Sequence, residues 1–242
     1  MKTTIRRLSA LIGAMAVLTF AAPPAGAATL HIDELRMAPA RSAAIAARAS
    51  ASPAPCNDQA YKELGGTWQG GAYAWSFNSA STPKYLSKSA TRDVLKRSFS
   101  NITGARNDCG MPDQVSATNM YLGTTDSRAR CGQRDLRNVI GFHALEFGVL
   151  AVTCYWMNSG RIVEADVQIN NNERWALTLN DCLDEVMLEA TMTHEAGHVF
   201  GLDHVGERRH GRLTMSPFLD GPCQNSEATL GAGDVRGLQA LY

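Results

Sequence analysis

His194 and His198 stand four residues apart, a spacing that on an α-helix places two side chains one turn apart on the same face. Two imidazoles so placed can grip one metal ion. Glu195 lies about 100° round such a helix from His194, near enough to reach a water at the metal without being a ligand. Gly201 can adopt backbone angles closed to other residues, so the helix can stop there and the chain can turn back. The turn brings His204 round as a third ligand. Three neutral nitrogens leave a fourth zinc position open to water, as a catalytic rather than a structural site requires. A bare H-E-x-x-H arises readily by chance. The glycine and third histidine at fixed offsets, and then Met215 eleven residues after His204, make chance a poor account.

These residues need a helix to carry them and a sheet to carry the helix. Asp184 is the expected N-cap, with Val186, Met187, Ala190, Thr191 and His194 along the inner side. Upstream, Tyr73–Asn78 reads as a strand. Pro83–Asn101 reads as a helix, since Ala90, Val94, Leu95 and Phe99 recur at helical spacing. Ser116–Leu122 and Val139–Leu145 look like short strands. Leu150–Trp156 is β-branched and aromatic, and Asn158-Ser159-Gly160 is a turn signal. Arg161–Asn170 then alternates apolar and polar, so the last two strands form a hairpin. His31, His143 and His210 sit at no ligand spacing, and His210 reads as solvated loop. Glu164 and Asp166 could touch calcium, but no clear calcium motif surrounds them and they read as surface carboxylates.

Residues 1–27 read as an export signal: Lys2, Arg6 and Arg7 precede the apolar run Leu8–Phe20, and Ala25-Gly26-Ala27 is a small-x-small cleavage site. The run is too short for a stable membrane anchor, and the general secretory route fits it better than a twin-arginine reading. Residues 28–55 are rich in Ala, Ser, Arg and Pro and read as a flexible pro-segment or linker. Residues 56–242 then form one domain with an ample core. Removing 1–27 leaves 20 basic and 23 acidic side chains, a formal charge of −3. No basic stripe points to nucleic acid, and no second hydrophobic run points to a membrane. The product reads as a secreted, extracellular monomer.

All six cysteines, Cys56, Cys109, Cys131, Cys154, Cys182 and Cys223, fall in that domain. An even number in an exported chain suggests three disulfides rather than a metal site, since no CxxC pair is present. Fifteen pairings exist and sequence alone does not choose. The layout of elements suggests Cys56–Cys109, Cys131–Cys154 and Cys182–Cys223, the last tying the entry of the motif helix to the loop after Met215.

The run His194–His204 resembles the extended zinc signature of the metzincin peptidases, H-E-x-x-H-x-x-G-x-x-H. Leu213-Thr214-Met215-Ser216-Pro217 resembles their Met-containing turn. From about Cys56 to Tyr242 the chain is most similar to the matrixins, and in particular to the small secreted matrixin-like proteases of actinobacteria. Leu230–Tyr242 resembles the matrixin closing helix, with one departure: matrixins usually carry two adjacent acidic residues there, and here only Asp234, after Gly233, is acidic. Asp108-Cys109-Gly110-Met111-Pro112-Asp113 resembles the matrixin cysteine switch. A domain starting after Asp113 would lose its first strand and helix, so Cys109 reads as a structural disulfide partner.

The resemblance implies an α+β fold with a twisted, mostly parallel sheet, an antiparallel edge strand, long helices including a zinc helix, and a small C-terminal subdomain with Met turn and closing helix. It implies that Leu150 and Ala151 offer backbone groups to an extended substrate, that Ser216-Pro217-Phe218 walls the pocket after the scissile bond, and that Met215 forms an apolar floor. Calcium ions and a second, structural zinc are common in matrixins, but the His-rich loop for that zinc has no counterpart here. The function that follows is peptide hydrolysis by a zinc-activated water, with Glu195 as general base. Two other classes fit the motif: a secreted zinc-binding protein without turnover, and a zinc amidase acting on cell-wall peptides. Proteolysis of casein with and without chelator separates the first, and an assay on peptidoglycan fragments separates the second.

Overall fold

The computed structural model describes residues 28–38 and 52–242; the export signal read in 1–27 lies outside them. Ten strands run in chain order as β1 Thr29–Met37, β2 Thr67–Trp68, β3 Ala72–Phe77, β4 Thr118–Thr124, β5 Val139–His143, β6 Val149–Asn158, β7 Arg161–Asn170, β8 Trp175–Ala176, β9 Val186–Met187 and β10 Phe218–Leu219. The helices are α1 Lys88–Thr103, α2 Leu188–Val199, α3 Glu207–His210 and α4 Ala232–Leu241. The main sheet has the order β10-β1-β6-β7-β5-β3-β4, with β2 paired to β7. Pairs β3–β4, β3–β5, β5–β7 and β2–β7 are parallel, whereas β6–β7 and β1–β6 are antiparallel. A mixed, mostly parallel sheet with packed helices is an α+β arrangement.

The hairpin forms where the alternation placed it. Ser159 and Gly160 both take positive φ, 52° and 73°, the handedness that matches the twist of paired strands. Helix α1 starts later than the apolar periodicity implied. Ser87 accepts a hydrogen bond from the Ala90 amide at 3.4 Å, and Pro83–Leu86 is a turn closed by the Leu86 amide. Val94, Leu95, Phe99 and Ile102 then bury one stripe of α1 in a core shared with Tyr73, Trp75, Phe77 and Phe200.

Four sequence expectations need correction. Thr29–Met37 is an ordered strand, not a flexible stretch: the outer edge of β6 carries backbone donors and acceptors that want partners, and β1 supplies them over Thr29–Arg36. For the same reason β6 is not the sheet's edge here. Glu164 and Asp166 are buried rather than at the surface. Glu164 accepts from the amides of Asp135 and Leu136, and Asp166 from those of Arg130 and Val139. The two carboxylates thus tie down the loop leading into β5. His210 is not free in solvent either, since its Nδ1 lies 2.9 Å from the buried Asp58 carboxylate.

The disulfides are Cys56–Cys109, Cys131–Cys154 and Cys182–Cys223, the pairing the layout suggested. Cys109 is therefore committed to a structural bond. Among the described residues no helix is long and apolar enough to cross a membrane.

Candidate metal centre

Helix α2 begins at Leu188, with Met187 rather than Asp184 as N-cap and no side-chain cap. The parallel pairing of Val186 and Met187 with Trp175 and Ala176 holds the backbone extended up to Met187, so helical angles start one residue later. All residues from Ala190 to Val199 are buried. Polar contacts with α1 fix the helix: Asn101 donates to Thr193 Oγ1 at 3.2 Å and to Glu189 Oε1 at 3.3 Å.

The helix ends as its glycine implied. Gly201 has φ 91°, and a Cβ there would stand 2.5 Å from the Gly66 carbonyl oxygen. Both the conformation and the space exclude a side chain. The turn is then tied down by Leu64 N–H to the Gly201 carbonyl at 2.8 Å and Asp203 N–H to the Lys62 carbonyl at 2.8 Å. His204 follows directly.

That geometry brings the Nε2 atoms of His194, His198 and His204 within 2.9 to 3.0 Å of one another. His194 Nδ1 lies 2.6 Å from the Thr214 carbonyl and His198 Nδ1 lies 2.9 Å from the Leu202 carbonyl. A carbonyl can only accept, so in the neutral rings these Nδ1 atoms carry the hydrogens and the Nε2 lone pairs face inward. Three converging lone pairs repel unless protons or a cation lie between them. Protons are disfavoured: burial, before any other cause, holds His198 and His204 at about 4 and His194 well below the ordinary imidazole range. A divalent cation fits, and three imidazole nitrogens are a donor set that suits zinc.

Glu195 projects beside this cluster, fully buried. Desolvation pushes its carboxyl up to about 8 against a lowering hydrogen bond from Thr153. Its Oε2 accepts from Thr153 Oγ1, while Oε1 is buried without a partner. An orphaned acceptor at the rim of the histidine cluster is where a water or substrate N–H would be received. Thr153 escaped the sequence reading. Its only signal is a lone hydroxyl in the apolar run Leu-Ala-Val-Thr-Cys, and its partner lies 42 positions away.

Met215 is buried below the helix. A Cβ on Gly197 would come within 2.3 Å of the Met215 sulfur, so the thioether packs against the turn between His194 and His198. The segment around Met215 is held by Asp234, whose buried carboxylate accepts from the amides of Thr214 at 3.0 Å, Met215 at 3.2 Å and Gly231 at 2.9 Å. The neighbouring position that matrixins fill with an acidic residue is closed here, since a side chain at Gly233 would strike the Ala60 carbonyl. Ser216 Oγ donates to Glu207. The Pro217 carbonyl accepts from Arg36 N–H at 3.1 Å, and Ala151 faces Leu35 across the β1–β6 ladder. The main chain reserved in sequence for a substrate is thus in contact with β1.

No curated protein matches the chain. The family model described as Matrixin matches residues 67–242, a span that holds α1, β2 to β10, the histidine cluster, Met215 and the closing helix. The chain therefore belongs to the matrixin family of zinc-dependent metallopeptidases.

Proposed function

We propose that this protein is a secreted zinc-dependent endopeptidase, with His194, His198 and His204 as metal ligands, Glu195 as general base and residues 56–242 as the catalytic domain. The observation that carries the proposal is the convergence of three Nε2 atoms beside a buried glutamate that keeps one oxygen unpartnered. Zinc held there would polarise the carbonyl of the bond to be cut and acidify a water. Glu195 takes the proton of the attacking water and delivers it to the leaving nitrogen, with no covalent enzyme intermediate. A carboxyl raised to about 8 by burial is suited to a group that must both accept and release a proton near neutral pH.

Leu150 and Ala151 on one side and Ser216 and Pro217 on the other bracket the site, and their main-chain groups suit an extended protein segment as substrate. Met215 supplies an apolar floor and is not a ligand. Three disulfides suit an oxidising compartment, which accords with reading residues 1–27 as an export signal and the product as an extracellular monomer.

The test is casein cleavage by the chain from Cys56 onward, with chelator, with restored zinc, and in Glu195→Gln. Cleavage should vanish with chelator and return with zinc. The variant should keep zinc while losing at least a hundredfold in turnover. Normal turnover in Glu195→Gln would refute the role of Glu195. A chain that holds one zinc and cuts nothing would leave a binding protein instead.

A further inference from the structure

Helix α1 buttresses α2 with its inner face, and its outer face concentrates the chain's positive charge. Residues 88–106 carry Lys88, Arg92, Lys96, Arg97 and Arg106 against a single acid, Asp93, a formal charge of +4. The rest of 28–242 holds 15 basic and 22 acidic side chains, a formal charge of −7. Lys88, Arg92 and Lys96 recur every four residues, so they form one ridge along about 12 Å of helix.

Arg106 lies beyond the helix and joins this face only through the fold. Ala105 takes φ 46°. Its N–H bonds the Ile102 carbonyl at 2.9 Å, and the Arg106 N–H bonds the Asn101 carbonyl at 2.8 Å. This pair of bonds turns the chain back at the end of α1. Arg106 thereby joins Asp93, Lys96, Arg97, Ser100 and Asn101 around a hollow of about 500 Å³. Asn101 is buried, and its bonds to Glu189 and Thr193 of α2 hold it in place.

The charges around that hollow do not cancel. Arg92 pairs with Asp93 at 2.8 Å and Arg97 with Glu189 at 3.3 Å. Lys96 and Arg106 form no ion pair among the described residues, and both are exposed. Two uncompensated cations beside a hydroxyl are a donor set for an anion. A ridge of further cations leading into the hollow suits a chain of spaced anions better than a single ion. No aromatic side chain lines the hollow, so it offers no platform for the bases of a single-stranded nucleic acid. A hollow takes one anionic group at a time, which fits a flexible chain and not the plane of a lipid surface.

We propose that the outer face of α1 is a docking site for a linear phosphate polymer without bases. Its phosphate groups fill the hollow between Lys96 and Arg106 and follow the ridge to Lys88. The attraction is electrostatic, comes with release of counterions, and is therefore weakened by salt. The site is separate from the histidine centre and does not depend on what that centre does.

The experiment titrates residues 28–242, with zinc present, at a series of salt concentrations. The probes are linear polyphosphate, a glycerol phosphate polymer, inorganic phosphate, oligothymidylate and vesicles of anionic phospholipid. One or both of the first two should bind at low salt at least tenfold more tightly per phosphate than inorganic phosphate, and which one does names the source. The logarithm of affinity should fall against the logarithm of salt with a slope of about −2 to −3, as three or four phosphate contacts require. Lys96→Ala combined with Arg106→Ala should lower affinity at least tenfold and reduce the slope by about 1.4. Both side chains are exposed, and an unchanged melting temperature checks that the fold is kept. Arg161→Ala combined with Arg236→Ala, exposed cations elsewhere, should leave binding as it was. Polymer binding that survives the α1 substitutions would overturn the proposal. So would tighter binding to oligothymidylate or to vesicles than to either polymer, or no polymer binding at low salt.

Discussion

Thr153 donates its hydroxyl to the Glu195 carboxylate from the middle of β6, so the sheet sets the orientation of the proposed general base. On the proposed mechanism, Thr153 acts by positioning Glu195. Thr153→Val should lower kcat by ten- to a hundredfold, the worth of a hydrogen bond to a charged group, with little change in KM. Thr153→Ser should recover most of the loss. Steady-state kinetics on one reporter peptide checks both, and a change confined to KM would refute the positioning role.

Packing of Met215 against Gly197 makes a separate prediction about stability. Met215→Ala leaves a cavity under the histidine turn and should lose about 2–5 kcal/mol. Met215→Leu, close in volume, should lose less than about 1.5 kcal/mol. Urea titration of the zinc-free chains measures this without involving turnover. If the two substitutions prove equal, the sulfur is not packed as described.

Asp166 supplies a pH dependence. Burial, the largest cause, raises its carboxyl from 3.8 to about 7, against lowering bonds from the Arg130 and Val139 amides. Because the folded pKa is the higher one, the proton stabilises the fold. That contribution is fully present below the unfolded pKa and is lost as pH rises through about 7. Asp166→Asn does not titrate. The stability of the native chain relative to this variant should therefore fall by roughly 3 kcal/mol between pH 4 and pH 7, with a slope of at most about 1.36 kcal/mol per pH unit. Denaturation at a series of pH values reads the difference. A gap that widened in favour of the native chain over that range would show the sign to be wrong.

The Cys182–Cys223 bridge closes a separation of 41 residues and ties the approach to α2 to the chain after Pro217. Replacing both cysteines by Ala should lower stability by about 4 kcal/mol on the chain-entropy account. It should also raise KM for extended peptides, because the Ser216–Phe218 wall loses its tether. Thermal denaturation and kinetics of the double variant test the two effects separately.

What the sequence determined by itself is the part of the centre built from local geometry. The four-residue step between His194 and His198, the stop at Gly201 and the return to His204 are consequences of helix period and glycine backbone freedom within eleven residues, so they need no tertiary information. The β6–β7 hairpin is equally local, since its turn residues sit between its two strands. Tertiary structure decided whatever depends on chain segments far apart. Thr153 meets Glu195 across 42 positions, and Asp234 reaches back to the Thr214 amide across 20. Glu164 and Asp166 look like surface carboxylates until the folded loop before β5 turns its amides toward them. The start of α2 moved because the pairing of β9 with β8 overrode the capping preference of Asp184. Thr29–Met37 carries Leu30, Ile32, Leu35 and Met37, but its alternation breaks between Ile32 and Leu35, so it does not declare a strand. Its partners are the open edge of β6 and the Pro217–Leu219 wall, and neither exists as a surface until the rest of the chain has folded.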